Sequence, residues 1–244
     1  MKRKIIMVNG KKRAGKDFFS DMLVEKSFTK LSIAQILKDI ACKIVDIDFN
    51  IMEDLKNNET YFKIDKQIFQ EKFKEALYKM QQNYDTSIDN TIQNFKISSL
   101  DIFIDNDSKS QIVKVDARKY LQNMNIFKII FDDDDIWIKS LLEKMHQISG
   151  NIVISDFRFP NEFLAVRNEF KDDNLISVKV IGKNYYSIDK YDNHLSETSL
   201  DNWIFDYHIN NTIWHNGSLF WQVNGLLQEL DILENKEKYN DVEN

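Results

Sequence analysis

Gly10, Gly15 and Lys16 stand in the spacing G-x-x-x-x-G-K, followed directly by Asp17. Residue types in that pattern suit one kind of chemistry. The chain between the glycines turns tightly, so successive backbone N–H groups point into one cavity and meet phosphate oxygens. A helix starting at the end of the turn adds its N-terminal partial positive charge. Lys16 would then reach the terminal phosphates as a point charge. Asp17 occupies the position where a Ser or Thr hydroxyl ordinarily ligates Mg²⁺. The plainer alternative is a basic turn, Lys11-Lys12-Arg13, capping an ordinary helix with Asp17 near its positive end. The flanks favour the phosphate reading: residues 5–8 are an apolar run that suits a strand, and residues 18–23 are amphipathic.

Other candidates are weaker on residue grounds. Residues 152–156 form an apolar run closed by Asp156, with Arg158 two positions on. This reads as a buried parallel strand with a carboxylate at its carboxyl end, where open α/β sheets bind ligands. An ion pair tying loop to sheet explains the same residues. Asp132 to Asp135 are four adjacent carboxylates before a helix. They suit the helix dipole, and a linear run seldom converges its oxygens on one ion. Trp137 reads as a core anchor, with a base-stacking wall as the alternative. Lys38 and Asp39 sit early in a helical pattern and read as a solvated face. His194 reads as a surface histidine rather than a base.

The elements that must position these groups follow from periodicity. After the first helix, residues 28–33 suit a short strand, and 34–45 carry Ile36, Leu37, Ile40, Ala41 and Ile44 at helical spacing. Residues 46–82 are strongly charged and read as helical. Residues 83–114 mix Asn, Asp, Ser and Gln with Ile and Phe, and read as an insertion. Within it, 102–104 and 112–115 are expected to pair as a hairpin about 106–108. Helices are expected over 116–131 and from 136 to about 149. A further helix opens at Pro160, the single proline, placed for a first-turn position. Strands are expected over 175–181 and 206–210, then an amphipathic C-terminal helix. The polar segment 183–205 could act as a lid.

With 244 residues and 43% hydrophobic content, the chain can bury a sizeable core, and we expect one domain over 1–244. Net charge is −6, so no global field draws it to nucleic acid. The single cysteine, Cys42, excludes disulfide frameworks and cysteine-built zinc sites. The opening residues are too briefly apolar for a signal peptide, and no run approaches membrane-spanning length. The expectation is a soluble cytoplasmic protein.

Taken together, Gly10-Lys11-Lys12-Arg13-Ala14-Gly15-Lys16-Asp17, residues 118–122 (RKYLQ), 135–139 (DIWIK) and 154–162 (ISDFRFPNE) resemble the phage deoxynucleoside monophosphate kinases. So does the closing Asp206-x-x-Ile209-x-Asn211 pattern with Asn216-Gly217-Ser218-Leu219. Asp after the motif lysine is usual in that family. The resemblance covers most of the chain outside 46–114. It implies an α/β P-loop fold with a central parallel sheet flanked by helices, and transfer of the ATP γ-phosphoryl, with Mg²⁺, to a dNMP such as dGMP or dTMP. It implies that Gly10, Arg13, Ala14, Gly15, Lys16, Asp17 and Phe18 hold the triphosphate, with Asp17 acting on the metal. Lys12, Lys38 and Arg118 or Lys119 would grip the monophosphate, with Leu37 also on the acceptor side and Trp137 and Lys139 lining its pocket. Asp156 and Arg158 would lie between the nucleotides, Arg158 stabilising the transferring group, and Asn211 by the adenine. A homodimer is implied as well. Two departures are visible. Asn125-Ile126 replace the family's Gly-Thr, and residues 212–215 lengthen its closing loop.

Three rivals remain. A phosphomevalonate kinase-like enzyme would share GKKRAGKDF and SDFR. A kinase of modified DNA bases is disfavoured by the acidic balance. A non-catalytic nucleotide-binding protein would have little reason to gather Arg13, Lys16, Arg118, Lys119 and Arg158.

Overall fold

A computed structural model describes residues 2–11, 13–83, 111–182, 198–212 and 216–240. Lys12, the proposed strand at 102–104 with its turn, and residues 183–197 of the expected lid lie outside the described residues, as do 213–215 of the lengthened closing loop. The chain divides into two compact units. One comprises Met1–Ile33 and Leu141–Asn244, and the other is the continuous stretch Ala34–Ser140.

The first unit is built on five parallel strands. They are β1 (Lys4–Asn9), β2 (Thr29–Leu31), β5 (Ile152–Ile154), β6 (Asn174–Gly182) and β7 (Tyr207–Asn211). Their order across the sheet is β2-β5-β1-β6-β7, with β1 at the centre. Ile5 lies between Ile152 and Leu175, and Met7 between Ile154 and Ser177, so the register holds along the strand. Parallel strands need crossovers, and α1 (Lys16–Val24) and α8 (Pro160–Glu169) supply two of them. Residues 5–8 are completely buried because helices cover a parallel sheet on both faces, which explains an apolar run without alternation. On one face Ile6, Val8, Val178 and Val180 pack with Phe19 and Leu23 of α1 and with Leu219, Val223, Leu226 and Leu230. Those four leucines and valines belong to the C-terminal helix, α9 (Asn216–Asn240).

The second unit is mainly helical. It holds α2 (Ile33–Val45, entered from the first unit), α3 (Phe49–Asn57), α4 (Lys66–Asn83), α5 (Ala117–Asn123), α6 (Ile126–Phe131) and the start of α7 (Ile136–His146). Two antiparallel strands, β3 (Tyr61–Asp65) and β4 (Ile112–Asp116), complete it. This corrects one expectation and extends another: residues 61–65 are a strand inside the stretch expected to be helical, and the expected strand at 112–116 pairs with it. Phe62, Ile64, Val113 and Val115 alternate inward along the ladder, which period-2 burial requires. Phe62, Phe69, Phe73, Tyr120, Phe127 and Trp137 make a continuous aromatic core with ring centroids 5.1–6.1 Å apart. The expected helix over 116–131 is two helices, α5 ending at Asn123 and α6 starting at Ile126. Among the described residues no helix is long and apolar enough to cross a membrane.

Candidate functional site

The loop from Gly10 to Gly15 leaves the carboxyl end of the central strand and enters α1. β1 connects toward β2 on one side and β6 toward β7 on the other, so the loop lies where the connections diverge. Open α/β sheets bind ligands at such a point. Gly15 has φ +99°, a left-handed conformation natural to glycine and strained for other residues. Arg13 also has positive φ, at 64°, and projects to solvent. The Ala14 amide donates back to the Lys11 carbonyl at 3.1 Å, closing the turn.

The loop is braced from behind by the neighbouring strands. A Cβ on Gly182, the last residue of β6, would lie 2.5 Å from the Ala14 Cα, and one on Gly10 would lie 2.6 Å from the Val180 carbonyl oxygen. Side chains at either position would push the turn off the sheet. Asn211, at the end of β7, donates from Nδ2 to the Ala14 carbonyl at 3.0 Å. This bond clamps the turn.

Lys16 bends over this turn. Its Nζ donates to the carbonyls of Gly10 at 2.7 Å and Lys11 at 3.0 Å. The ammonium therefore lies across the mouth of the loop while the first-turn amides of α1 begin immediately behind it. Asp17 is largely exposed and pairs with Lys30 at 3.1 Å, which also binds Asp21 at 2.9 Å. Burial works against the Lys30 charge, but Asp21 and Asp17 outweigh it and raise its pKa. Phe18 is exposed beside them.

Two further strand ends meet the loop's base. Asn9 donates to the Phe157 carbonyl at 2.8 Å, and the Phe157 amide donates to Val8 at 3.1 Å. The segment after β5 is thereby tied to β1. Asp156 accepts from the Ser32 hydroxyl at 2.8 Å and the Ile33 amide at 2.9 Å, so its carboxylate fixes the chain beyond β2. Glu162, the last residue of the 154–162 motif and given no role there, is buried. Its Oε2 accepts from the amides of Arg158 at 2.7 Å and Phe159 at 3.0 Å, setting the turn that presents Arg158. Burial pushes its carboxyl up to about 7 against the pull of those two amides, with Asp156 adding repulsion. A Glu two or three residues after a helix start is a legible capping signal, but its burial is not.

The candidates in the second unit fall into three environments. Trp137 is buried against Phe127 in the aromatic core, so it anchors packing and offers no open stacking face. Lys139 donates to Asp133 at 2.6 Å, and Asp133 also accepts the Asp135 amide at 2.9 Å. The aspartate run is thus a capped turn before α7. Lys119 is exposed on the first turn of α5, where Asp116 accepts its amide at 2.7 Å. Leu37 is half-buried on α2. Lys38 pairs with Glu53 at 2.9 Å, and Lys56 pairs with the other oxygen of Glu53. Burial alone would raise the Glu53 carboxyl, but Lys56 and Lys38 overcome it and hold it below its usual range. Arg118 brings Nη2 to 3.5 Å from the Lys56 carbonyl, and its Nε is buried with no hydrogen-bond partner among the described residues.

The first unit thus holds a braced, glycine-bounded turn crossed by an ammonium, and the second two lysines on one carboxylate with Arg118 against the Lys56 carbonyl. No family model matches the chain, and a search of curated proteins returns no match.

Proposed function

We propose that this protein is a P-loop nucleotide kinase that moves the γ-phosphoryl group of ATP to a deoxynucleoside 5′-monophosphate, giving dNDP and ADP. One observation carries the reading. A Gly-bounded turn at the carboxyl end of the central parallel strand has its following lysine bent over the turn's own carbonyls. An anion entering the turn would take over that ammonium from two neutral carbonyl oxygens. A charge-assisted bond to phosphate is stronger than either bond it replaces.

Phosphoryl transfer asks little covalent work of a protein, which must align the groups and neutralise spreading charge. In this reading the turn's amides and Lys16 hold the β- and γ-phosphates. Arg13, exposed at the rim, and Arg158, presented by the Glu162-fixed turn, stabilise the transferring group. The acceptor oxygen is already an anionic phosphate, so no general base is required. Lys38, Arg118 and Lys119 are the acceptor-side cations. The donor set fits Mg²⁺: Asp17 is an exposed carboxylate on the first turn of α1, and Mg²⁺ is held by one or two carboxylates with substrate phosphates and waters. When bound, the ion neutralises phosphate charge. The homodimer implied by the resemblance belongs to this proposal too.

The test is a coupled assay offering ATP with each deoxynucleoside and ribonucleoside monophosphate, and phosphomevalonate in a separate arm. Turnover on at least one dNMP is expected, and Lys16→Ala should reduce it by roughly 10²–10³-fold, the scale for removing an electrostatic stabiliser. ATP binding without turnover on any monophosphate would leave a non-catalytic nucleotide-binding protein. Turnover confined to phosphomevalonate would replace the acceptor.

A further inference from the structure

Asp17 and Asp21 stand one helical turn apart on α1, so both carboxylates lie on one face of the helix. Lys30 reaches them from β2, the edge strand of the sheet. It lies in register with Val153 of β5, and side chains in register on neighbouring strands share a face. Val153 packs with Phe19 and Leu23 of α1, so Lys30 rises on the side of the sheet that α1 covers. Its Nζ donates to Asp17 Oδ1 at 3.1 Å and to Asp21 Oδ1 at 2.9 Å. Among the described residues neither carboxylate has another ion pair. Lys16, next to Asp17 in the chain, donates to the carbonyls of Gly10 and Lys11.

The three groups differ in their surroundings. The Lys30 side chain keeps 29% of its exposure, and the carboxylates of Asp17 and Asp21 keep 82% and 63%. The ammonium is thus the fixed member, rooted in a strand, and the carboxylates stay open to a further cation. Asp17 gains from the positive end of α1, an influence that fades after the first turn, so Asp21 depends more on Lys30. A lysine on an edge strand also discourages pairing with a stray strand, which is the plain structural account of Lys30. That account gives no reason for its ammonium to hold the residue directly after the motif lysine.

We propose that Lys30 is a positioning residue for Asp17, holding its carboxylate in the empty protein and withdrawing to Asp21 when Asp17 takes up Mg²⁺. This rests on the reading of the turn as a Mg²⁺–nucleotide site, and adds to it a control on when the metal binds. Asp17 is kept from free Mg²⁺, because exchanging its ammonium for an ion that dehydrates reluctantly gains little. With nucleotide phosphates in the turn the exchange becomes favourable, and Lys30 retains a full partner in Asp21. Metal and nucleotide therefore enter together. Asp21, one turn further along the helix, sets how firmly Lys30 grips Asp17.

The experiment is calorimetric titration of the full chain with ADP, in Mg²⁺ and in EDTA, reading the ratio of the two affinities. Lys30→Gln is expected to raise that ratio about three- to fivefold, and Asp21→Asn to lower it about threefold, the scale of one exposed ion pair. Asp17→Asn should bring the ratio down, and adding Lys30→Gln to it should change nothing further, because Lys30 acts through Asp17. The proposal is overturned if Lys30→Gln leaves the ratio unchanged or lowers it. It is equally overturned if Lys30→Gln raises the ratio as much on the Asp17→Asn background, as a charge felt only through space would do. Should Lys30→Gln fail to fold, Asp21→Asn carries the test, and a ratio that does not fall overturns the proposal. ADP binding whose Mg²⁺ dependence ignores all three residues overturns this proposal and leaves the nucleotide reading standing. No ADP binding by any of these proteins, with or without Mg²⁺, overturns both.

Discussion

Glu162 is the residue whose charge state most directly reports on the candidate site. Its folded pKa of about 7 lies above the ordinary 4.5, so between those values the folded protein holds a proton that the unfolded chain has released. Stability should therefore fall as pH rises through that window, and stay level below and above it. The span corresponds to at most about 3 kcal/mol. Urea unfolding at pH 5 and pH 8 should show that loss in the wild type and not in Glu162→Gln, and parallel pH profiles would exclude the assignment. At this scale the sequence was readable in part. Gly10, Gly15 and Lys16 were visible because tight turns and phosphate binding constrain residue type at fixed spacing. Asn211 was visible in the closing pattern, but its bond to the Ala14 carbonyl was not, because which carbonyl an amide reaches depends on segments brought together from distant parts of the chain. Glu53 and Lys56 gave no signal at all, since charged residues on a helix ordinarily face water. Trp137 was ambiguous between core and ligand wall, and the aromatic packing around it decides for core.

Among the elements, the contact between β6 and the turn after β1 is a tight constraint on the site. Gly182→Ala would set a methyl group 2.5 Å from the Ala14 Cα, where backbone has to give way. Overpacking of this kind costs about 1–3 kcal/mol. Because the displaced backbone is the turn itself, nucleotide affinity should fall more steeply than thermal stability. A melt and an ADP titration on the same variant measure both, and a variant that loses stability but binds ADP normally would detach β6 from the site. Apolar runs made β1, β5 and β6 legible, as burial on both faces demands. The strand over 61–65 was hidden for the opposite reason: its residues Tyr-Phe-Lys-Ile-Asp alternate only briefly within a highly charged stretch. Its pairing with 112–116 joins segments about 50 residues apart, and a local pattern carries no record of a distant partner.

Among the described residues, the first unit buries a largely aliphatic core against its parallel sheet, and the second an aromatic core among its helices. Separate cores permit separate cooperativity. ADP at a hundred times its Kd should add about 2.7 kcal/mol to whatever cooperative block contains its site. Scanning calorimetry with ADP should accordingly raise one transition and leave a second in place, whereas a single transition shifting as a whole would show that the cores melt as one. The acidic balance was plain from composition. The extent of the second unit was not, because Ala34 and Ser140 both lie inside helices, without a break in composition.

The routing of the chain bears on its birth. β1 stands at the centre of the sheet, yet both of its neighbours, β5 and β6, begin more than 140 residues later. At ribosomal speeds of about 5–20 residues per second, the strand waits on the order of 7–30 s for its first partner to be made. Through that interval the apolar segment KIIMVN is nascent and sticky, while the second unit emerges after it and can condense first. Newly translated protein should thus depend on holdase chaperones at β1 more than its finished architecture suggests.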